Sequence, residues 1–333
     1  MVELVLDQGM SKERRTMHWS EPQYEHVTVH VCPSRALIDL LVSQQAQTSV
    51  HIFSGLRNDG TSARALDLCR AQRQQIVVMA EGGDWTGHSS LKYLRLLKHR
   101  LLRARYGRHI RQILAIGELG IEWYRRVGYP QHLLTPFAYF VEISQMSNRT
   151  LSHEVEFLFV GRALTYKGGH LLIEALGRLK HLPWSATLVT EGPQQTAWEA
   201  LTRSEGIENR IHFRKFEAPA DVARRMANAA VLVLPSTADE GWGAVVNEAL
   251  FQGTPVICTT LTGAKDMVQG DEQRGQVIEP NLDALAIALE QQILRGSPSE
   301  AARDEVATWA RMHWSGHAGA QRLLDAVVPA RRV

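Results

Sequence analysis

The chain of 333 residues has little cysteine and no long apolar run. Its three cysteines, Cys32, Cys69 and Cys258, are far apart and form no C-x-x-C pair, so we interpret them as reduced thiols. No segment approaches the roughly 20 apolar residues that a membrane-spanning helix needs. The start, MVELVLDQGM, lacks the basic and apolar regions of a signal peptide. We therefore expect a cytoplasmic protein, either free or attached peripherally at the inner face of the cytoplasmic membrane.

Several nucleotide-binding and metal-binding patterns are also missing. The chain has no G-x-x-x-x-G-K-[ST], which excludes a P-loop, and no G-x-G-x-x-G after a predicted strand, which argues against a dehydrogenase. It has no D-x-D pattern. Two histidine pairs, His26 with His30 and His313 with His317, lack an evident third ligand. We therefore expect neither a metal site nor a bound cofactor.

The charged residues are distributed unevenly along a chain of otherwise ordinary composition. The sequence is 44% hydrophobic and 22% charged, which is typical of globular proteins. Residues 1–150 carry 19 Lys and Arg against 13 Asp and Glu, whereas residues 151–333 carry 18 against 22. The basic first half and the acidic second half predict different partners for the two halves.

Strand-like and helix-like segments alternate through both halves. The last candidate strand of the first half is Pro136–Val141, and the second half begins with another at Val155–Val160. Such alternation predicts an α/β fold of two Rossmann-like, doubly wound domains with parallel sheets.

The predicted division of the chain has three parts. Residues 1–150 form a first domain and residues 151–312 a second, with the boundary in the polar stretch Ser144–Glu154. Residues 313–333 close a helical tail that begins near Ser299. This tail is expected to end as a separate C-terminal helix.

Two glutamates, Glu240 and Glu248, lie eight positions apart in the run ADEGWGAVVNEALFQGTPVI. An apolar strand, Val231–Leu234, precedes the first, and a Gly-Trp-Gly turn leads into a helix that contains the second. Ligands bind at the carboxyl edge of an open α/β sheet, and a helix start offers free N–H groups to a phosphate. The pattern therefore indicates a nucleotide-sugar site. The alternative is a turn glutamate followed by a glutamate on a solvated helix face.

This segment resembles the E-x7-E region of retaining glycosyltransferases of family 4, which have the GT-B fold. The similar residues include both glutamates, the turn Gly241-Trp242-Gly243, Asn247-Glu248-Ala249 and Gly253–Ile257. The resemblance is clear over residues 155–330. It implies two Rossmann-like domains that face each other across a cleft, with C-terminal helices that cross back onto the first domain.

The same resemblance implies roles for residues around the two glutamates. Glu248 would bind the donor ribose, and Glu240 would bind hydroxyl groups of the donor sugar near the reacting carbon. The amides that would lie near the phosphates are those of Gly243, Ala244 and Val245. The residues that would flank the nucleotide base are Glu191, Gly192, Lys215 and Phe216. For Glu191, an ordinary loop acid is an equal alternative.

A basic loop near the start of the second half fits a diphosphate. Arg162 follows the buried strand Phe157–Val160, and Lys167 precedes Gly168-Gly169 and a helix. Arginine offers forked hydrogen bonds and lysine a compact charge, although two solvated loop cations are the alternative. The resemblance implies that both are catalytic, because they neutralise the diphosphate leaving group without a metal. The leaving phosphate would take the acceptor proton, and a front-face reaction would retain the anomeric configuration.

The first half is expected to bind the acceptor. The turn that follows one predicted strand contains Glu81, Asp84 and His88, which could bind or orient the acceptor hydroxyl, with His88 as the candidate catalytic residue. Arg57 follows another strand and could line the same side. An ordinary glycine-rich turn is an equal alternative for His88. Near the start, Asp7–Met10 replaces the glycine-rich turn of many relatives, so a donor-side role for that loop stays open.

Eight Lys and Arg residues and no acid lie between Lys92 and Arg111, interleaved with leucines. Residues 91–111 therefore predict a basic amphipathic helix that could lie on an anionic membrane. The alternative is a surface helix whose apolar stripe packs on the sheet, and both hold if the stripe packs inward while the charges face lipid. No known binding module accompanies the patch, so nucleic acid is not an expected partner.

Together these features predict a metal-independent, retaining glycosyltransferase. It would transfer a hexose from a UDP- or GDP-sugar to a glycan or lipid-linked acceptor, in the biosynthesis of a surface polysaccharide. Two alternatives stay open: a GT-B nucleotide-sugar epimerase, and a non-catalytic module that binds sugar nucleotides.

Overall fold

A computed structural model describes the chain except for residues 13–14, 16–20, 22–23, 45–47, 57–59, 86–89, 143–146, 151–153 and 329–333. The chain forms two compact units, Met1–Phe137 with Leu323–Val333, and Ala138–Arg322. The divisions expected from the sequence lie after residues 150 and 312. No described helix is both long enough and apolar enough to cross a bilayer.

The strands of the first unit form parallel sheets. They are β1 (Val2–Leu6), β2 (Val27–Val31), β3 (His51–Phe53), β4 (Ile76–Glu81), β5 (Ile110–Ile116) and β6 (Leu134–Phe137). β1 pairs with β2, and β3 to β6 pair with one another in chain order. The parallel pairing expected for this half is therefore present, but among the described strands it is divided between two sheets.

Helices follow the strands of the first unit. They are α1 (Arg35–Ser43), α2 (Gly60–Ala71), α3 (Leu91–Tyr106) and α4 (Gly117–Val127). The Ser34 hydroxyl caps α1 by accepting a hydrogen bond from the Leu37 amide. Leu66 of α2 and Trp123 of α4 are buried in one apolar core with strand residues. Near the C terminus, Val327 is buried against Val77 and Leu114 and so belongs to the core of this unit.

The leucines of α3 do not all pack inward, as one interpretation of the sequence expected. Leu96, Leu102 and Tyr106 are buried, but Leu94 and Leu101 are each 63% exposed. The expectation that the leucine stripe packs inward is therefore only partly correct. The helix has a second apolar face that no other part of the described unit covers.

The second unit contains one sheet of six parallel strands. They are β7 (Val155–Val160), β8 (Trp184–Val189), β9 (Ile211–Arg214), β10 (Val231–Leu234), β11 (Val256–Thr259) and β12 (Gly275–Ile278). Their order is β12-β11-β10-β7-β8-β9, with parallel pairing throughout. The chain starts in the middle of the sheet, adds strands on one side and then on the other, so the doubly wound prediction is confirmed for the second unit.

Eight helices are described between residues 169 and 327. They are α5 (Gly169–Arg178), α6 (Gln195–Glu205), α7 (Pro219–Asn228), α8 (Val245–Phe251), α9 (Lys265–Val268), α10 (Leu282–Arg295), α11 (Glu300–Trp314) and α12 (Gly316–Val327). Strand residues such as Phe157 and Leu188 are fully buried in one apolar cluster with helix residues such as Leu172 and Leu289. Apolar strands of this kind are typical of a parallel sheet covered on its faces by helices.

The elements differ from the sequence prediction in several places. The helix expected over residues 91–111 ends at Tyr106. The strand predicted at Pro136–Val141 ends at Phe137, because β6 pairs with β5 only as far as Ile116, the last residue of β5. The helical tail divides at Ser315 rather than after residue 312, and the Ser315 hydroxyl accepts a hydrogen bond from the Ala318 amide. The short helix α9 was not predicted from the sequence.

Candidate functional site

The candidate site lies in the second unit, where the strand order reverses. β7 and β10 are neighbours, with Val231 opposite Phe157 and Leu232 opposite Leu158. The chain leaves these two strands in opposite directions across the sheet, so their carboxyl ends form the topological switch point at which open α/β sheets bind ligands. The loop that follows β7 carries Arg162 and Lys167, and the loop that follows β10 carries Glu240.

An ion pair joins the two loops. The Lys167 ammonium donates to one carboxylate oxygen of Glu240. The other oxygen accepts a hydrogen bond of 2.8 Å from the Ser236 hydroxyl. Only 6% of the Glu240 side chain and 16% of the Lys167 side chain are exposed. Both charged groups are thus held in place by contacts within the protein. Ser236 is a site residue that was not predicted from the sequence.

Gly168 allows the Lys167 loop to approach the end of β10. Its φ is +72°, and a Cβ atom at this position would lie 1.9 Å from the Pro235 carbonyl oxygen. The Thr237 amide donates a hydrogen bond of 2.7 Å to the Tyr166 carbonyl at the same contact. Only glycine combines this backbone conformation with such a close approach, so Gly168 positions Lys167 beside Glu240.

Arg162 lies at the start of the loop that follows β7, and it is exposed. It therefore shares a loop with Lys167, although it is more accessible than the ion pair. Its participation in a phosphate clamp stays a prediction.

The Gly-Trp-Gly turn leads from Glu240 into α8 and leaves several amides without acceptors. Gly243 has a φ of +86° and lies close to Leu234 and to Glu240 Cγ. Among the described residues, none accepts a hydrogen bond from the amides of Gly243, Ala244 or Val245. Three successive free donors at this turn are suited to an anion.

Glu248 lies one turn into α8 with a recessed carboxyl group. Part of its surface remains accessible, but the surroundings are dry enough that burial raises the pKa of the carboxyl to about 7. No described residue donates a hydrogen bond to this side chain. A desolvated acceptor without a partner is suited to ligand hydroxyl groups, which could supply the missing hydrogen bonds.

A buried network holds the turn and the helix together. The Trp242 indole donates to Asn247 Oδ1 at 2.7 Å, and Asn247 Nδ2 donates to the Tyr139 carbonyl at 3.0 Å. Trp242 also packs against the rings of Tyr139 and Trp314. Trp242 and Asn247 therefore have a positioning role that the sequence pattern does not reveal, since their partner Tyr139 lies about a hundred residues away.

The two loops expected to flank a nucleotide base are tied together. The Glu191 carboxylate accepts a hydrogen bond of 3.2 Å from the Phe216 amide. The Glu191 carbonyl also accepts from the Ala163 amide at 2.9 Å, next to Arg162. Gly192 and Lys215 are exposed. Glu191 thus has a structural contact that organises these loops, whether or not they bind a base.

The acceptor-side candidates lie in the first unit. Glu81 ends β4 and is exposed, and the Asp84 carbonyl accepts a hydrogen bond of 2.9 Å from Arg95. The turn between them packs closely, because a Cβ atom on Gly83 would lie 2.7 Å from the Trp123 ring. Arg57 and His88 lie outside the described residues.

The described part of the chain contains no group of three or more His, Cys, Asp or Glu side chains that could hold a metal ion. One histidine of each pair singled out in the sequence has another contact. His30 Nε2 lies 2.7 Å from a Glu3 carboxylate oxygen, and His313 Nδ1 lies 2.8 Å from the Trp309 carbonyl oxygen.

Comparison with known families identifies the domain that contains the candidate donor site. Residues 143–305 match the family model described as Glycosyl transferases group 1. This range contains β7 to β12, the Lys167–Glu240 ion pair and Glu248. This part of the chain, just under half of its length, is therefore similar to that family.

Curated relatives match over similar ranges. The colanic acid biosynthesis glycosyltransferase WcaL of Escherichia coli K12, named as putative, is 26% identical over 184 residues, which are 52% of this chain and 45% of WcaL. The lipopolysaccharide glucosyltransferase WaaG of the same organism is 32% identical over 170 residues, 49% of this chain and 44% of WaaG. The matched region of the chain thus spans less than half the length of these relatives.

Solved structures match over nearly the whole chain. HepE of Anabaena, in complex with UDP and glucose, has a TM-score of 0.68 and 17% identity and covers 99% of this chain and 100% of its own. The apo form of the lipopolysaccharide outer core galactosyltransferase WaaB has a TM-score of 0.69 and 16% identity, with 98% and 99% coverage. These likenesses confirm the predicted α/β, GT-B fold class.

Proposed function

We propose that the chain is a retaining glycosyltransferase that transfers a hexose from a nucleotide diphosphate sugar to a glycan or lipid-linked acceptor. One observation carries the proposal. At the switch point of a glycosyltransferase group 1 domain, the Lys167–Glu240 ion pair lies on loops adjoining a turn with three free amides and a recessed Glu248. The cation and the neutral amides suit the diphosphate of such a donor, and the two glutamates suit its hydroxyl groups.

The diphosphate would bind to the cations and to the amides. Lys167 has three N–H donors, so its ammonium can contact a phosphate oxygen while it keeps one contact with Glu240. The amides of Ala244 and Val245 add neutral donors that need no reorganisation. Arg162 would close the clamp from the exposed side. As the glycosidic bond breaks, negative charge accumulates on the leaving phosphate, and these groups stabilise it without a divalent metal.

The two glutamates would bind opposite ends of the donor. Glu248 would accept hydrogen bonds from the ribose hydroxyl groups, which relieves the cost of its desolvated carboxyl. Glu240, fixed by Lys167 and Ser236, would accept from sugar hydroxyl groups near the reacting carbon. The leaving phosphate would take the proton of the acceptor, and the new bond would form on the face that the phosphate leaves, so the configuration is retained.

The relatives suggest which donor and acceptor to test first. HepE has been crystallised with UDP, with UDP and glucose, and with UDP-glucose, so a UDP-hexose is the first candidate and a GDP-hexose the second. The names of WcaL and WaaG refer to colanic acid and lipopolysaccharide. We therefore propose that the acceptor is an intermediate of surface polysaccharide assembly, handled on the cytoplasmic side of the membrane.

A thermal-shift screen of UDP-, GDP-, ADP- and TDP-hexoses tests donor binding. A donor present at 100 times its Kd stabilises the folded state by about 2.7 kcal/mol, which raises the melting temperature measurably. We expect the largest shift with a UDP- or GDP-hexose. If no sugar nucleotide shifts the melting temperature, the proposal is wrong.

Single substitutions then separate binding from turnover. Glu248→Ala should raise the donor Kd about tenfold or more, because it removes hydrogen bonds to the ribose. Glu240→Ala should lower the rate of donor hydrolysis or transfer about 100-fold while changing the donor Kd less. Glu290→Ala is a matched control, since Glu290 is also a half-buried helical glutamate of the same unit. Nucleotide binding without turnover, unchanged by Glu240→Ala, would instead support a non-catalytic module.

A further inference from the structure

We propose that the loop between β11 and α9, residues 260–264, positions Glu240 for the reaction, and that Gly263 is the residue on which this contact depends. The inference rests on the proposed function, because that function gives Glu240 its role in turnover. It concerns a part of the chain to which neither the sequence motif nor the proposed donor contacts assign a role. The β11–α9 loop carries no charged side chain, so we expect it to act through the residues that it holds in place.

The β11–α9 loop begins next to the loop that carries Glu240. Strand β11 is a neighbour of β10, with Cys258 opposite Leu234, so the loops that follow the two parallel strands meet at one edge of the sheet. The Thr259 hydroxyl, at the end of β11, donates a hydrogen bond of 2.7 Å to the Ser236 carbonyl. Both residues are buried. This bond therefore fixes the start of the segment that leads to Glu240.

Two backbone hydrogen bonds continue the contact. The Glu240 amide donates to the Leu261 carbonyl at 3.0 Å, and the Ala264 amide donates to the Trp242 carbonyl at 2.8 Å. Each segment thus supplies one donor and one acceptor, so the main chain is held on both sides of the turn. Because these bonds involve no side chain, the course of the β11–α9 loop sets the backbone position of Glu240 without leaving a signal in the motif.

Gly263 lies where the two segments are closest. A Cβ atom on Gly263 would lie 1.8 Å from the Gly241 carbonyl oxygen and 3.0 Å from Trp242 Cα. Both are backbone atoms, so no side chain can rotate away from an added methyl group. Gly263 does not have a left-handed backbone conformation, so its requirement for glycine comes from the close approach alone. An alanine would therefore displace the turn that directly follows Glu240.

The Glu240 side chain has little freedom to compensate for such a displacement. It is 6% exposed, one carboxylate oxygen contacts the Lys167 ammonium, and the other accepts a hydrogen bond from Ser236. A shift of the backbone would therefore change where the carboxylate lies. A misplacement of about 1 Å can lower a catalysed rate about 100-fold. Since we propose that Glu240 binds the sugar and not the nucleotide, Gly263 should affect turnover more than nucleotide binding.

The rate of donor hydrolysis by the full chain tests the inference. The probe is the sugar nucleotide that gives the largest thermal shift among the UDP-, GDP-, ADP- and TDP-hexoses. Gly263→Ala should lower this rate by about 10- to 100-fold, and should change the Kd of the corresponding nucleoside diphosphate by less than about threefold. Circular dichroism shows whether the variant is folded at the assay temperature.

Gly316→Ala is the matched control for the substitution itself. Gly316, at the start of α12, also lacks a left-handed backbone, and no described atom lies within 4 Å of the Cβ atom that alanine would add. This variant should hydrolyse the donor like the unsubstituted chain. Equal rates in the folded Gly263→Ala and Gly316→Ala variants would overturn the inference.

A double-mutant cycle with Glu240→Ala separates positioning from a general loss of structure. If Gly263 acts through Glu240, adding Gly263→Ala to Glu240→Ala should lower the rate by less than about twofold more. A full further loss in the double variant would show that Gly263 acts in another way. An unchanged rate in Glu240→Ala alone would instead contradict the proposed function, and with it the role of Gly263.

Thr259→Val gives a milder test that remains available if Gly263→Ala does not fold. Valine keeps the shape of the side chain and removes the hydrogen bond to the Ser236 carbonyl, so the rate should fall about threefold to tenfold while the nucleoside diphosphate Kd is unchanged. Thr202→Val is its control, because Thr202 is 3% exposed and donates to the Glu199 carbonyl at 2.8 Å within α6. Equal rates in these two variants would contradict the inference.

Discussion

At the scale of single residues, the recessed carboxyl of Glu248 has the clearest measurable consequence. Burial raises its pKa from an ordinary value of 4.5 to about 7. A carboxyl whose pKa is higher in the folded state favours folding while it is protonated. That contribution is present below pH 4.5 and is lost as the pH rises through about 7. The ionised group therefore destabilises the ligand-free protein at alkaline pH.

Glu248→Gln should remove this pH dependence. The neutral side chain has nearly the same shape, so we expect little change in the free energy of unfolding at pH 4.5. At pH 8 the variant should be more stable by about 2 kcal/mol, after allowance for the accessible part of the side chain. Urea unfolding at several pH values measures the difference. Glu290→Gln is the control, and parallel pH profiles for wild type and Glu248→Gln would contradict the prediction.

Most individual site residues could be identified from the sequence, but their partners could not. Glu240, Glu248 and Lys167 lie in recognisable local patterns. Ser236 and Asn247 gave no separate signal of their contacts. Ser236 acts by donating to Glu240, and Asn247 by linking Trp242 to a distant carbonyl, and such contacts exist only after the chain has folded.

At the scale of elements, the contact between the Lys167 loop and the end of β10 depends on Gly168. The chain offers a close control in Gly206, which has a φ of +67° against +72° for Gly168 but no atom within 4 Å of its missing Cβ. The two glycines therefore share the backbone strain that alanine would introduce and differ in the space around them.

Gly168→Ala should cost at least about 3 kcal/mol of stability, and Gly206→Ala about 1 kcal/mol. The larger cost arises because the added methyl group overlaps the Pro235 carbonyl and separates the two loops. We also expect Gly168→Ala to lower turnover, since Lys167 leaves Glu240. Chemical denaturation gives both free energies, and a similar loss for the two variants would show that the close approach does not matter.

The elements themselves were largely predictable. β7 and β10 have the boundaries expected from hydrophobic pattern and turn residues. The strand expected to continue to Val141 was misplaced because residues 138–141 are apolar, yet β5 offers no further partner beyond Ile116. Ala138 is buried but Tyr139 is 41% exposed, so hydrophobicity there predicted neither a strand nor complete burial.

At the scale of the whole molecule, each unit has its own apolar core, and all donor-site candidates lie within Ala138–Arg322. This division differs from the domain of residues 151–312 expected from the sequence. The shorter range omits Tyr139, whose carbonyl accepts from the buried Asn247 amide, and Trp314, which packs on Trp242. It also omits Arg149, which donates to the Gln252 carbonyl.

A fragment of residues 138–322 should therefore fold and show a donor-induced thermal shift. A fragment of residues 151–312 should melt at least about 10 °C lower, because several buried hydrogen bonds and an aromatic contact are lost. Circular dichroism measures the melting of both fragments. A thermal shift with the nucleotide that stabilises the full chain measures donor binding. If the longer fragment folds but this nucleotide does not raise its melting temperature, donor binding needs the first unit.

The sequence by itself determined the order of strands and helices, the two alternating halves and the motif residues Glu240 and Glu248. These follow from side-chain periodicity and turn chemistry, which depend on neighbours along the chain. Tertiary structure alone decided that Lys167 meets Glu240 across 73 positions, because the contact requires β7 and β10 to be adjacent. It also decided which apolar face of α3 is covered, since helical spacing defines two stripes but only packing buries one of them.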